Sequence, residues 1–364
     1  MEFLYETITA VTWQQVIMWC IGALLIFLAI KKDMEPALLL PMGFGAILIN
    51  IPFSGAEGVM SSLFAIGIEM NEIMPLILFI GIGAMIDFGP LLANPKLFLF
   101  GGAAQFGIFL TILLASACGF SIEDAASIGI IGAADGPTSI VVAQTLKSNY
   151  VGPIMVVAYS YMALVPIIQP AVIKLTTTKK ERMIRMDYKP QSVSKRTKIL
   201  FPILVTIVAG LIAPASLSLV GMLMFGNLIR ECGVLNSLTD TAKDVLANLV
   251  TLFLGITIAF TMKAENFVKV QTLMIMGLGL CAFIFDTFSG IMLAKVMNLF
   301  TKEKVNPMIG AAGISAFPMS ARIVQKMGLK EDPSNHLLMH AVGANVSGQI
   351  ASAIVGGLII GLVL

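Results

Sequence analysis

The sequence predicts an all-α, polytopic membrane protein, and three observations support this fold class. Hydrophobic residues make up 57% of the 364 residues and charged residues 12%, and the mean hydropathy is +0.93, well above that of chains with one soluble core. Apolar windows long enough to cross a bilayer follow one another along almost the whole chain. Two further apolar windows are interrupted by glycine, proline and charged residues, which is typical of broken or re-entrant segments.

About ten transmembrane helices are expected, each from one apolar window bounded by polar residues or by glycine and proline. They are predicted at 13–30, 36–51, 73–88, 96–118, 151–173, 199–213, 215–230, 246–262, 269–300 and 336–362. The two broken segments are predicted at 121–146 and 305–325.

One hydrophilic stretch, residues 174–198, divides the chain into a first membrane repeat, 1–173, and a second, 199–364. It carries nine Lys or Arg residues against Glu181 and Asp187. Loops rich in basic residues remain on the cytoplasmic side, so this linker is predicted to be cytoplasmic. A headgroup anchor would place it on the same side.

The two halves share short motifs in the same order. FIGIGAMIDF at 79–88 recurs in outline as FLGITIAFTM at 253–262, and IGAA at 131–134 recurs at 309–312. Three further pairs share one spacing: Pro137 with Pro318, Ser139 with Ser320, and Gln144 with Gln325. Two halves with a broken segment in corresponding positions indicate inverted-topology repeats, with a transporter-like core and a scaffold.

Composition argues against several function classes. The formal net charge is only +2 and the basic cluster is short, so nucleic acid is not an expected partner. The four cysteines lie in apolar stretches without paired spacing, and His336 and His340 have no acidic or cysteine neighbour. No transition-metal site is predicted, and sodium is the only metal expected.

The segment IGAADGPTSI places Asp135 between two apolar runs. An ionised aspartate at the centre of a spanning helix costs roughly 2.5–3.5 kcal/mol on insertion scales. The Gly-Pro pair after it opens the backbone beside the hydroxyls of Thr138 and Ser139, and such a density of oxygen atoms suits a hard cation such as sodium. A helix cap at Asp135 is the alternative, and the two roles can coexist.

A second candidate constellation is one face of the last predicted helix. Asn345, Gly348, Gln349 and Ser352 recur at i, i+3, i+4 and i+7, so they share one side of a helix that must point inward. Sodium binding and ordinary interhelical hydrogen bonding are both compatible with this pattern.

Weaker candidates complete the set. Tyr161, in AYSYMALVPIIQP, aligns roughly with Asn345 between the halves, although tyrosines also form interfacial belts. Arg322 is the basic residue of the second broken segment and is a candidate for binding an anionic substrate. Asp87 suits a turn as well as an ion site, and Asp286 lies in the middle of a predicted span.

The stretches GIGAMIDFGPLLANPK, IGAADGPTSI, AYSYMALVPIIQP and NVSGQIAS together resemble the membrane-embedded beta subunit of sodium-translocating biotin-dependent decarboxylases, which act on oxaloacetate, methylmalonyl-CoA or glutaconyl-CoA. The similarity runs over essentially the whole chain, in order. By position, the resemblance implies catalytic roles for Asp135 and Tyr161 and conserved polar roles for Asn345 and Ser352, with Gly348 as a close-packing partner.

The resemblance further implies a division of labour. A carboxyltransferase subunit transfers the carboxyl group to biotin on a carrier protein, and this subunit decarboxylates the carboxybiotin while sodium is exported and a proton is taken up. A small membrane subunit, a homotrimer of this chain and the cytoplasmic membrane are expected with it. A stand-alone sodium-coupled carboxylate symporter or exporter is the alternative reading of the same helices, and a biotinylated partner discriminates the two.

Overall fold

The computed structural model describes residues 2–70, 72–186 and 193–364, so residues 187–192 of the predicted linker lie outside the described part. The described residues form helices and turns and no strand. The first half contains α1 (Glu2–Thr9), α2 (Trp13–Lys32), α3 (Pro36–Ile49), α4 (Ala56–Phe64), α5 (Ile73–Met85), α6 (Gly89–Ala93), α7 (Phe98–Ala103), α8 (Phe106–Ala117), α9 (Ile122–Gly129), α10 (Gly136–Thr145) and α11 (Val151–Thr176).

The second half, with the start of the linker, repeats this alternation of long and short helices. It contains α12 (Lys179–Arg182), α13 (Lys195–Ile212), α14 (Leu217–Cys232), α15 (Asn236–Asp240), α16 (Ala247–Ala259), α17 (Ala264–Phe267), α18 (Val270–Phe300), α19 (Met308–Ala311), α20 (Met319–Glu331) and α21 (Leu338–Val363).

Six helical stretches of the described chain are long and apolar enough to cross a membrane, or seven if the bent pair Ala56–Glu69 and Ile73–Met85 forms one span. Helices occupy all ten predicted windows, but several are shorter than the roughly 20 residues that a bilayer core requires. The membrane character is therefore clear, whereas the count of ten spans and the inverted relation of the halves stay predictions.

Both predicted broken segments are interrupted helices. In the first, α9 passes into a 3₁₀ turn at Ile130–Ala133 before α10 begins. In the second, α19 is separated from α20 by a non-helical stretch. These breaks free backbone groups deep inside the protein, where the neighbouring helices α11, α18 and α21 surround them.

The hydrophobic core lies around these breaks. One cluster of buried side chains joins α5, α14, α18 and α19–α21, and a second joins α2, α3 and α16. Outward-facing leucine, isoleucine and phenylalanine side chains on α2, α8 and α13 are exposed, as expected for surfaces that face lipid.

The described start of the linker is fixed to the second half. Arg182 pairs with Glu331 at 2.7 Å and Arg185 with Asp332 at 2.6 Å, both partners lying at the end of α20. The hydrogen bond from the Arg185 guanidinium holds the pKa of the Asp332 carboxyl below its usual value. Asn306 donates to the carbonyl of Arg182 at 2.8 Å, so the linker lies beside the start of the second broken segment.

Candidate functional site

The chain turns sharply just before Asp135. The 3₁₀ turn ends at Ala134, whose φ of 53° lies in the left-handed region, a conformation that costs a residue with a Cβ about 1–2 kcal/mol. Asp135 is extended and caps α10, and Pro137 lies in the first turn, where its missing N–H has no intrahelical partner to lose. The geometry therefore confirms a helix cap at Asp135.

The carboxylate of Asp135 accepts four hydrogen bonds. Oδ1 accepts from the backbone N–H of Thr138 at 3.3 Å. Oδ2 accepts from Thr138 Oγ1 at 2.7 Å, from Ser352 Oγ at 2.8 Å and from Gln349 Nε2 at 3.2 Å. Asp135 is 2% exposed, and no basic residue of the described chain forms an ion pair with it. A buried carboxylate is thus held by dipoles from both halves, without a compensating positive charge.

Ser139 contributes to the same helix cap but does not contact the Asp135 carboxylate. Its Oγ donates to the backbone carbonyl of Asp135 at 2.8 Å. The hydroxyl keeps free lone pairs beside the carboxylate-bearing residue, which is compatible with a ligand role.

The second broken segment touches the first one directly. The backbone N–H of Ser315 donates to the carbonyl of Ala133 at 3.0 Å, and Ser315 Oγ donates to the carbonyl of Gly348 at 3.1 Å. Gly348 lies so close to Gly313 that a Cβ on Gly348 would overlap the backbone carbonyl of Gly313, whereas a Cβ on Gly313 would overlap the backbone of Phe100 on α7. Ser315 therefore connects both breaks and α21, a role that no sequence motif signalled.

Asn345 occupies a neighbouring position on the same helix face. Its Nδ2 donates to the carbonyl of Ile314 at 2.6 Å, while its Oδ1 is buried without a hydrogen bond among the described residues. Seven residues of helix separate it from Ser352, or about 10 Å along the axis. The predicted set of sodium ligands is thus divided: Thr138 and Ser352 contact the Asp135 carboxylate, and Asn345 contacts the second break.

This arrangement can bind a small hard cation. It offers a carboxylate, hydroxyl oxygens with free lone pairs and an unpaired amide oxygen, all removed from water. An ionised carboxylate without a counter-ion has a high free energy in this apolar environment, and a bound cation or a proton removes that cost.

The chain is similar to known proteins of one family over almost its whole length. Residues 14–363 match the family described as the Na+-transporting oxaloacetate decarboxylase beta subunit. The chain belongs to this family. Known members include the methylmalonyl-CoA decarboxylase subunit beta of Propionigenium modestum, 50% identical over 95% of this chain and 94% of that protein.

Other relatives of this beta subunit differ in the substrates of their complexes. The glutaconyl-CoA decarboxylase subunit beta of Acidaminococcus fermentans is 48% identical over 97% of this chain and 94% of its own length. The oxaloacetate decarboxylase beta chain of Klebsiella pneumoniae is 43% identical over 96% and 95%. The predicted resemblance is confirmed, and the decarboxylase reading is favoured over the stand-alone symporter.

Tyr161 of this beta subunit does not face Asp135. Its hydroxyl donates to the backbone carbonyl of Met276 on α18, and its ring packs against Gly279. The neighbouring tyrosine on α11, Tyr159, lies nearer the site, with its ring against Gly136. The sequence favoured Tyr161 through its alignment with Asn345 and the family resemblance, and it gave no signal for Tyr159, because the direction of each ring depends on tertiary contacts.

The remaining candidates form no hydrogen bond or ion pair with the Asp135 carboxylate. Arg322 is exposed on α20. Asp286 is fully buried on α18 against Gly107 and Gly132, and neither of its oxygens has a hydrogen bond of ordinary geometry among the described residues.

Asp87 has a structural role at a turn. It accepts from the backbone N–H of Gly89 at 2.8 Å and pairs with Lys198 at 3.2 Å. Burial raises the pKa of the Asp87 carboxyl, but the N–H of Gly89 and the charges of Lys198 and Arg230 outweigh burial and keep the pKa below its usual value.

Replacing Ser352 with alanine should weaken the site in a specific way. The variant loses one hydrogen bond to the Asp135 carboxylate, which corresponds to about a tenfold higher sodium concentration at half-maximal decarboxylation. Ser347→Ala is the matched control, because Ser347 is equally buried on α21 but binds the backbone of Leu97 and Gly101. An unchanged sodium dependence in Ser352→Ala would remove Ser352 from the site.

Proposed function

We propose that this chain decarboxylates carboxybiotin presented by a partner subunit and couples that reaction to sodium export. In this step the bond between the biotin nitrogen and the carboxyl carbon breaks, carbon dioxide leaves, and a proton is added to the biotin nitrogen. The observation that supports the proposal best is the Asp135 carboxylate, buried without a basic partner and hydrogen-bonded by both halves of a chain that belongs to a sodium-transporting family.

Asp135 is proposed to bind sodium and a proton alternately. The hydroxyls of Thr138 and Ser352 donate to the bare carboxylate, and that of Ser139 donates to the backbone carbonyl of Asp135. All three hydroxyls can rotate to offer lone pairs to a cation. Asn345 supplies a further buried oxygen next to the second break, and Gly348 lets that break approach α21. Each ion satisfies the carboxylate, so one can replace the other as the site faces alternate sides.

Tyr161 and Arg322 are proposed to support the decarboxylation step. Tyr161 holds α11 against α18, which keeps α10 in place, and Arg322 presents an exposed positive charge to an anionic substrate such as carboxybiotin. The assignment of Tyr161 follows the family resemblance, and the assignment of Arg322 follows its charge.

The complex is proposed to contain a carboxyltransferase subunit, a biotin carrier protein and a small membrane subunit around a trimer of this chain in the cytoplasmic membrane. Within the chain, 1–173 and 199–364 are proposed as inverted repeats of about ten spans in total, joined by the cytoplasmic linker 174–198. Similar motifs and an interrupted helix in each half support this arrangement.

Copurification tests the proposed function. A tag on this chain is used to purify the complex from its native membrane in mild detergent, and an avidin blot is expected to reveal a stoichiometric biotinylated band. The complex in liposomes is then expected to decarboxylate its acid only when sodium is present and to accumulate sodium. Repeated absence of biotin together with sodium transport by the intact chain would favour the symporter instead.

Cysteine labelling tests the proposed orientation. Lys180 is exposed in the linker, whereas Lys269 is exposed at the start of α18, whose other end lies near the linker about 45 Å away. In a variant without the four native cysteines, Lys180→Cys should react with an impermeant maleimide only in inside-out vesicles. Lys269→Cys, the matched control, should react only in right-side-out vesicles, and the reverse pattern would refute the cytoplasmic linker.

A further inference from the structure

Tyr159 has a buried hydroxyl that nothing in the described structure satisfies. The side chain is 2% exposed, and Oη has no hydrogen bond among the described residues. Buried polar atoms nearly always have a partner, so an unpaired hydroxyl at this depth is a candidate ligand for a bound group. The ring itself is well packed in the cluster with Met155 and Ile140, so poor packing does not explain the orphan.

The Tyr159 ring lies against Gly136, the residue that follows Asp135. A Cβ at Gly136 would overlap Cε1 and Cζ of the Tyr159 ring, so only glycine after Asp135 allows the ring to approach the chain there. Asp135 directly precedes Gly136, so the carboxylate-bearing residue and the Tyr159 ring lie at the same turn of the chain. The Tyr159 hydroxyl forms no hydrogen bond with Asp135.

A cation between the two groups would account for this geometry. Hard cations of the size of calcium or sodium bind oxygen at about 2.3–2.6 Å, so two ligands of one ion stand about 3–5 Å apart. In the upper part of this range the two oxygens are too far apart for a direct hydrogen bond, and the shared cation satisfies both. A phenol oxygen is a neutral ligand, which adds coordination without adding charge to the site.

We infer that Tyr159 Oη is an additional ligand of the cation that Asp135 binds, and that it contributes to the preference of the site for sodium. The inference rests on the proposed function, because it assumes that Asp135 holds the transported ion. It distinguishes the two tyrosines of α11: Tyr159 acts at the ion, and Tyr161 acts at the contact with α18.

Sodium titration of the reconstituted complex tests the inference. Tyr159→Phe keeps the ring and removes only the oxygen, so the sodium concentration for half-maximal decarboxylation should rise about tenfold. The maximal rate should stay within about twofold, and the ratio of lithium to sodium activation should change. Tyr159→Met, which lacks the hydroxyl in another shape, should give the same shift if the oxygen matters.

Tyr150→Phe is the matched control. Its ring packs edge-on against Phe120 at the start of α11, away from Asp135, so removal of its hydroxyl should leave the sodium dependence unchanged. A wild-type sodium dependence in Tyr159→Phe, while Asp135→Asn is inactive, would overturn the inference and leave the proposed function intact. A wild-type complex that works without sodium would overturn the proposed function itself.

Discussion

Asp135→Asn is expected to abolish sodium-coupled decarboxylation while leaving the complex assembled. Asparagine keeps the size of the side chain, and its one oxygen can take the place of Oδ1 and accept from the backbone N–H of Thr138, so the cap of α10 should survive. Its amide nitrogen then replaces the Oδ2 that accepts from Ser352, and that hydrogen bond is lost or reversed. The amide cannot neutralise a cation, however, and it cannot carry the proton that would replace one. Loss of a buried charge partner typically costs 3–5 kcal/mol, so turnover at fixed sodium should fall by at least about a hundredfold.

The measurement is decarboxylation and sodium uptake by the purified complex in liposomes, with copurification as the test of assembly. Asp124→Asn is a matched control, since Asp124 is also a buried acid of the first broken segment. Its carboxylate accepts from Ser148 at 2.7 Å and from the N–H of Asn149 at 2.8 Å, and so ties the two ends of that segment together. The Asp124→Asn variant should have a lower thermal stability and an unchanged sodium dependence.

Retained sodium-coupled turnover in Asp135→Asn would refute the exchange mechanism. Full activity of the variant without sodium would be a different result, because decarboxylation would then be uncoupled from sodium and Asp135 would be the group that makes turnover depend on the ion. The two outcomes are separated by titrating sodium in the variant.

The sequence predicted the parts of this fold that depend on composition and on glycine and proline. High hydropathy required helices in lipid, and the Gly-Pro pair at Gly136 and Pro137 required a break, because proline cannot donate to a preceding turn. The spacing of Gln349 and Ser352 placed them on one helix face, and both contact Asp135.

The features that the sequence did not predict depend on contacts between distant segments. Nothing in the local pattern of Ser315 indicates that it joins Ala133 to Gly348, because both contacts arise only when the two breaks meet. The direction of a side chain from a buried helix is likewise set by its neighbours, which is why the sequence favoured Tyr161 and did not identify Tyr159. Asn345 shared the predicted face, but a helical rise of about 10 Å carries it to a different neighbour.

Gly348→Ala should have the second largest effect, because it increases the distance between α21 and the second broken segment. The added methyl group would overlap the carbonyl of Gly313, so α21 and the second broken segment must move apart. Overpacking of this kind typically costs 1–3 kcal/mol. It also pulls Gln349 and Ser352 away from Asp135, because Gln349 is the next residue of α21 and Ser352 lies one turn further on. We expect a lower thermal stability and a higher sodium requirement in one variant.

Gly361→Ala provides the control on the same helix, because a Cβ there has no heavy atom within 4 Å and alanine is the better helix former. Thermal unfolding of the purified complex and sodium titration of decarboxylation would be measured for both variants. If Gly348→Ala lowers stability but keeps the wild-type sodium dependence, the close approach at Gly313 serves packing alone. If both properties change in Gly348→Ala and neither changes in Gly361→Ala, the contact between α21 and the second broken segment is part of the ion site, because a methyl group placed against Gly313 has altered the binding of the cation.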